Sequence, residues 1–243
     1  MRFIVLIVIS IVFYACSDLS APTSIVSDVD VENTEIYGGV VYYNNAPYSG
    51  TRIKKYDNGK SYWKVDLIEG RRNGHYEEWF KSGALRVLEN YVSNKRHGRS
   101  ETFWNISDEN INPIRAKGDY VHGLKEGEWH FFYANGQLHY KDRFKKDRRI
   151  LEGSYTFYFP NGGLKNVISY LNGKPHGKWV YYHENGKIKS ELDYKEGEEH
   201  GLFQIWYDNG QLMRKENFIN GKRKGLMELF DRNGQLRQQK TYL

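Results

Sequence analysis

Histidine comes nearest, among the residue types of this sequence, to a catalytic or metal-binding pattern. Four histidines stand directly before glycines, at His97, His122, His176 and His200. If adjacent hairpins brought His176 and His200 together, they would supply two ligands, whereas zinc normally takes four in a tetrahedral arrangement. We therefore interpret these histidines as turn residues and assign no metal and no cofactor.

The sequence shows no catalytic constellation around other residue types either. It has no glycine-rich phosphate loop, no Gly-x-Ser-x-Gly elbow and no His-Glu-x-x-His motif. Its one cysteine, Cys16, directly follows an apolar N-terminal segment. Recurring carboxylates such as Glu191 and Glu216 are expected to pair with lysine or arginine across strands. We therefore expect a protein that is not an enzyme and has no small-molecule substrate.

A repeat of about 24 residues must position these side chains. Asn-Gly pairs recur along the chain, and those that begin at Asn161, Asn185, Asn209 and Asn233 are 24 residues apart. Asn-Gly between alternating apolar residues is the strongest short hairpin signal, because a type I′ turn needs positive φ at both central positions. The predicted repeat turns are Asn58-Gly59, Asn135-Gly136, Asn161-Gly162, Asn185-Gly186, Asn209-Gly210 and Asn233-Gly234.

Aromatic residues follow the same period. In the unit that begins at Gly177, the positions of Trp179 and Tyr194 hold large apolar or aromatic residues in most other units. The side chains on either side alternate with them, which predicts strands with two unequal faces. We expect these aromatics to pack between neighbouring hairpins, since a single hairpin is marginally stable in water.

The pattern Gly-x-Trp-x-x-Tyr-x-x-Asn-Gly-x-Leu, closing with Tyr-x-x-Gly, resembles the bacterial variant of the MORN repeat. Chains of this kind are often labelled YwqK-like antitoxins. The resemblance covers roughly residues 38–243. It implies an all-β fold, an elongated antiparallel β-meander of stacked hairpins with a groove along one face. It also implies a binding, scaffolding or membrane-apposed role.

The N-terminus resembles a lipoprotein signal peptide. Residues 1–15 hold one basic residue and then a mainly apolar run that is shorter than a membrane-spanning helix requires. The sequence Phe-Tyr-Ala before Cys16 resembles a lipobox, which implies that Cys16 is lipidated. An ordinary cleaved signal or an uncleaved anchor are the alternatives. The implied location is the bacterial cell envelope, as a membrane-anchored lipoprotein that faces the periplasm or is surface-exposed.

We divide the chain of 243 residues into three segments. Residues 1–15 form the signal peptide, and residues 16–35 carry the lipidated cysteine and a flexible tether. Residues 36–243 form a repeat array of about eight units. In its first full unit, Arg52, Lys54 and Lys55 replace aromatics, and we expect them to protect an exposed strand edge.

One unit in the array is irregular. Gly127 follows Gly98 by 29 residues rather than 24, and a segment at 105–114 replaces the Asn-Gly turn. Insertions in repeat proteins often map to the binding face, and a tolerated surface insertion is the equal alternative. The partner-binding candidates are Asn105, Ile106, Ile111 and Pro113 in this segment, and Trp79, Trp104, Tyr182 and Trp206 elsewhere.

The net charge of +6 comes from basic residues gathered at the turns between repeats. We interpret them as a solvated surface, and no nucleic-acid-binding motif accompanies them. The expected function is therefore protein binding or scaffolding, with an antitoxin or immunity protein that binds a toxin as a special case. The alternative is a structural spacer whose basic turns meet lipid headgroups or polysaccharide.

Overall fold

The structure, a computed structural model, describes residues 26–106 and 112–243. These residues form 24 strands and one short 3-10 helix, Val31–Asn33. No helix in these two ranges is long and apolar enough to cross a membrane. The predicted lipidation site, Cys16, and the binding candidate Ile111 lie outside the described residues.

The strands of the first half are β1 (Val26–Asp30), β2 (Glu35–Tyr37), β3 (Val40–Tyr43), β4 (Ala46–Pro47), β5 (Gly50–Lys55), β6 (Ser61–Ile68), β7 (Arg71–Trp79), β8 (Leu85–Val92), β9 (Lys95–Arg96), β10 (Gly98–Phe103), β11 (Ile114–Val121) and β12 (Leu124–Phe132). Those of the second half are β13 (Leu138–Lys145), β14 (Arg148–Arg149), β15 (Gly153–Tyr158), β16 (Leu164–Leu171), β17 (Lys174–Pro175), β18 (Gly177–Tyr182), β19 (Ile188–Lys195), β20 (Glu198–Trp206), β21 (Leu212–Ile219), β22 (Lys222–Arg223), β23 (Gly225–Phe230) and β24 (Leu236–Tyr242).

From β5 to β24, each long strand pairs antiparallel with the next long strand along the chain. The two-residue strands β9, β14, β17 and β22 pair back onto the strand before them. The sheet is long and does not close. The predicted all-β antiparallel meander of stacked hairpins is therefore confirmed.

The Asn-Gly loops differ from the predicted type I′ turn. In one unit Gly186 has a φ of +83°, whereas Asn185 stays outside the positive region. The Gly186 N–H donates to the His183 carbonyl (2.9 Å), which makes a three-residue loop that ends in a left-handed glycine. Asn185 serves through its side chain: Oδ1 accepts from the Lys187 N–H (3.1 Å), and Nδ2 donates to the Asp208 carbonyl of the next unit (2.7 Å).

The type I′ geometry lies at the other end of each hairpin. Two-residue turns there have positive φ at both central positions, as this turn requires. They are Glu69-Gly70, Ser93-Asn94, His122-Gly123, Lys146-Asp147, Asn172-Gly173, Glu196-Gly197 and Asn220-Gly221. Asn172-Gly173 and Asn220-Gly221 were not predicted as turns, because the prediction rested on the other series of Asn-Gly pairs, which includes Asn185-Gly186.

The N-terminal end of the sheet is capped by residues that precede the repeats. Strand β1 pairs in parallel with β5, and Val29 is buried with Val41 of the small β2-β3-β4 sheet against the first repeat. The tether predicted up to residue 35 therefore extends too far, because Val29 has a core position. The predicted exposed edge at β5 is also wrong: β1 covers it, and Arg52 Nε donates to Thr34 Oγ1 (2.8 Å).

Candidate functional site

The two faces of the long sheet differ in the side chains they carry. We call the aromatic face the one that contains the Trp179 and Tyr194 positions of every unit. Its rings pack edge to face between neighbouring strands, with centroids 5.5 Å apart for Tyr170 and Trp179. Trp129 and Tyr155 are each only 3% exposed. The periodic aromatics are thus packing residues, as the sequence predicted.

The unit formed by β10 and β11 interrupts this packing. Ser100 stands two residues after the unit's glycine, where the other units hold Trp, Tyr, Phe or Met, except the first full unit, which has Arg52. Its register partner is Gly118, at the position of Leu192. A Cβ at Gly118 would overlap the Trp129 indole, so that ring lies directly on the backbone. An open cavity of about 660 Å³, a volume typical of ligand sites, lies over this unit; Ser100 lines it and is itself 1% exposed.

Aromatic rings and cations surround this cavity. The aromatic lining comprises Tyr76, Tyr91, Trp104, Tyr120, Trp129, Phe131, Phe132 and Tyr140. The cationic lining comprises Arg72, Arg96, Arg115 and Lys125. Each cation lies over a ring face, from 4.4 Å for Lys125 on Trp129 to 5.9 Å for Arg115 on Trp104. Such contacts fix the long cationic side chains along the cavity wall.

The carboxylates near the cavity are already paired. Glu89 is 4% exposed, and its Oε2 lies 3.0 Å from Arg96 Nε. Burial by itself lowers the pKa of Arg96, but the Tyr91 hydrogen bond and the Glu89 charge outweigh it and raise that pKa. Glu78 Oε1 lies 2.8 Å from Arg86 Nη1. Arg72, Arg115 and Lys125, by contrast, have no carboxylate within 4.0 Å in the part of the chain that the structure describes.

Buried acid–arginine pairs recur along the aromatic face with a spacing of seven residues. They are Glu89 with Arg96, Asp142 with Arg149, and Glu216 with Arg223, at N–O distances of 3.0, 2.5 and 2.9 Å. Where the acid position is Ile168 or Leu192, the cation position is Pro175 or Glu199. The expected pairing of Glu216 with arginine is thus confirmed, while the seven-residue spacing that signals it was missed.

The structure separates the aromatic binding candidates predicted from the sequence. Trp104 lines the cavity, and its Nε1 donates to the Phe132 carbonyl (3.1 Å). Trp79, Tyr182 and Trp206 stand at register shifts that end the first strands of their hairpins, and none of them lines the cavity. The structure therefore brings one of the four predicted aromatics to the cavity.

The described ends of the 105–114 segment lie beside Trp104. The Trp104 N–H donates to the Pro113 carbonyl (2.9 Å), which closes the backbone around the segment. Asn105 is exposed, and Ile106 and Pro113 are half-buried. The insertion thus adjoins the cavity, but Ser100, which lines the cavity, was not among the candidates.

The histidines do not form a metal site in the described residues. The His97 and His122 rings lie 5.5 Å apart between centroids, but no group of three or more potential ligands gathers anywhere in ranges 26–106 and 112–243. His139 lines the cavity, and burial, together with the charge of Lys165, lowers its pKa below 6.5.

Comparison with known families supports the repeat pattern. The family described as MORN repeat variant matches five consecutive segments, residues 125–146, 151–172, 175–196, 199–220 and 223–243. No curated protein matches the chain. Most of the cavity is formed by units that precede these five segments.

Proposed function

We propose that this MORN-repeat protein is a non-enzymatic binding module whose protein partner contacts the aromatic face at the cavity over β10 and β11. Repeats of this family are generally associated with protein or membrane binding. The observation that carries the proposal is the gap at Ser100 in the row of large side chains, together with the cavity that Ser100 lines.

The residue types around the gap suit protein recognition. Tryptophan, tyrosine and arginine dominate binding energies at protein interfaces, especially where they surround a pocket that a partner side chain fills. Here they stand on paired strands rather than on mobile loops, so little conformational entropy is lost on binding. No catalytic group accompanies them, and we therefore propose no enzymatic activity.

We further propose that the protein is a lipoprotein of a bacterial cell envelope, anchored through Cys16 after removal of residues 1–15. Two acyl signals or more give stable membrane attachment, at about 0.8 kcal/mol per buried CH₂. If the partner is a toxin, the protein acts as an antitoxin or immunity protein. Replacement of Cys16→Ser should move the protein from the membrane fraction to the soluble fraction. A membrane-bound Cys16→Ser protein without acyl label would contradict this anchor.

Site-specific photo-crosslinking in cells tests the partner site. A benzophenone amino acid replaces Trp104 at the cavity in one full-length variant, and Trp206, which lies outside the cavity, in a matched control. We expect a discrete crosslinked partner from the first position and none from the second. Equal crosslinking at both positions, or crosslinking at Trp206 alone, would refute the proposed face.

A second candidate function is contact with an anionic membrane or polysaccharide surface. Exposed basic residues gather at the type I′ end of the hairpins, as at Lys95, Arg96, Lys145, Lys146 and Lys222. A row of this kind gains about 1 kcal/mol per cation near anionic lipid. Co-sedimentation of the Cys16→Ser protein with phosphatidylserine vesicles at low salt would support it, and absence of co-sedimentation would exclude it.

A further inference from the structure

We propose that the cavity binds an extended acidic segment of the partner, with one carboxylate at Arg72, a second at Lys125, and a large apolar side chain between them against the aromatic lining. This inference rests on the proposed function, because it specifies the chemistry of the partner at the same site.

The repeats differ from one another in the residue at the position of Arg96. Arg72 and Lys125 occupy the position of Arg96, pairing with Leu67 and Tyr120 as Arg96 pairs with Tyr91. That position is cationic in three units that contain a buried acid seven residues earlier. In two units without an acid, it is proline or glutamate.

Arg72 and Lys125 depart from this correlation. Seven residues before them stand Val65 and Gly118, which offer no charge. Both cations line the cavity, and neither has a carboxylate partner in the described chain. Arg72 is exposed and Lys125 is half-buried, so both cations are accessible to a ligand that supplies the anions. These two positions therefore indicate where carboxylates of the partner bind.

The distance between Arg72 and Lys125 suits an extended peptide. Arg72 lies in β7 and Lys125 in β12, and four strand-to-strand steps separate them through β8, β10 and β11. At about 4.8 Å a step, the two positions are roughly 19 Å apart. An extended chain rises about 3.3 Å per residue, so it spans this distance in about six residues. β10, the strand that carries Ser100, is the middle one of these five strands.

The cavity favours a peptide over a nucleic acid. A nucleic-acid strand places phosphates every few ångströms, which would bring some against Glu78 and Glu89 in the lining. Bases also need free ring faces for stacking, whereas Lys125 and the three arginines already cover ring faces here. Two carboxylates on an extended peptide meet the two cations without either conflict.

Labelled peptides test the inference on the purified full-length protein. The probe is a fluorescein-labelled peptide of seven residues with Glu at positions 1 and 7, Phe at position 5 and Ser elsewhere, so that all three side chains lie on one face of an extended peptide. One control has Lys at positions 1 and 7, and another moves the two Glu residues to positions 2 and 6. By fluorescence anisotropy we expect the probe to bind at least about tenfold more tightly than either control. Equal binding of the three peptides, or tighter binding of a hexathymidine oligonucleotide, would overturn the inference.

Variants locate the contacts. Arg72→Gln and Lys125→Gln should each weaken probe binding by about tenfold, and Ser100→Trp should abolish it by filling the gap. Lys189→Gln, an equal charge change at an exposed position, is the matched control and should bind as the unchanged protein does. Circular dichroism verifies folding, and Lys125→Arg should restore binding. Full binding by both glutamine variants would overturn the inference.

The outcomes separate this inference from the proposed function. If a partner crosslinks at Trp104 but the probe peptide does not bind, the proposed binding face stands and the proposal of an acidic partner segment is overturned. Failure of both experiments would overturn both proposals.

Discussion

Removal of the arginine from a buried acid–arginine pair should destabilise the aromatic face. Asp142 is 5% exposed, and its Oδ2 lies 2.5 Å from Arg149 Nε. In an Arg149→Met variant the carboxylate would keep the hydrogen bond from the Arg143 N–H (3.0 Å) and lose its cation. Burial opposes the charge of Arg149, yet the hydrogen bond and charge of Asp142 raise the pKa of Arg149, so the pair is favourable as it stands.

The expected cost follows from the exposure of the two partners. Removing one member of a fully buried pair costs about 3–5 kcal/mol. The Arg149 side chain is 44% exposed, so solvent already screens part of its charge. We therefore expect a loss of about 2 kcal/mol in the free energy of unfolding, after discounting for this screening. For a chain of this size that loss lowers the melting temperature by about 4–8 °C.

A double variant supplies the control. Asp142→Leu combined with Arg149→Glu copies the unit that contains Leu192 and Glu199, so its stability should lie within about 1 kcal/mol of the unchanged protein. Urea unfolding followed by tryptophan fluorescence is a suitable assay, because Trp129 is the register partner of Asp142. Unchanged stability of Arg149→Met would refute the reasoning. So would a double variant as unstable as the single one.

Three further changes test other features of the fold. Asn185→Ala should lower the free energy of unfolding by about 1 kcal/mol more than Asn161→Ala does, as measured by thermal unfolding. Of these two residues in the described structure, Asn185 alone donates a side-chain hydrogen bond to the next repeat. Equal losses in the two variants would contradict this. Glu196→Asn should raise the free energy of unfolding in urea by about 0.5–1 kcal/mol, since φ is +55° there and asparagine tolerates that region better; no gain would contradict it. The lowered pKa of His139 means that the unfolded chain takes up its proton more readily, so stability should fall as the pH drops below 6.5. His139→Gln should weaken that dependence between pH 8 and pH 5.5 in urea midpoints, and an unchanged dependence would contradict the assignment.

The sequence predicted the hairpin array because glycine period and strand alternation are local signals. It did not distinguish the two kinds of turn, because both use Asn-Gly, one for side-chain bonds and one for positive φ. The N-terminal cap of the sheet, formed in part by β1, was not predicted for a different reason. Strand β1 pairs with β5, more than twenty residues later, and nothing within residues 26–30 reveals a partner that distant.

The sequence pointed to part of the cavity. The irregular spacing after Gly98 falls in the unit of β10 and β11, over which the cavity lies. The aromatic candidates were selected by size, and size does not tell whether a residue lines a cavity. Ser100 draws notice only when it is aligned with the large side chains of other units.

The cavity coincides with two cations that the charge pattern of the repeats does not explain. A buried carboxylate is costly without a cation, so a buried acid and the cation seven residues later should be gained and lost together. Five units obey this rule, including those at Ile168 and Leu192, where the buried acid and the cation are both absent. Arg72 and Lys125 break it on either side of the unit in which Ser100 replaces a large side chain. Residues that depart from a local rule without an internal compensation mark functional positions, and here the departures in charge and in volume coincide.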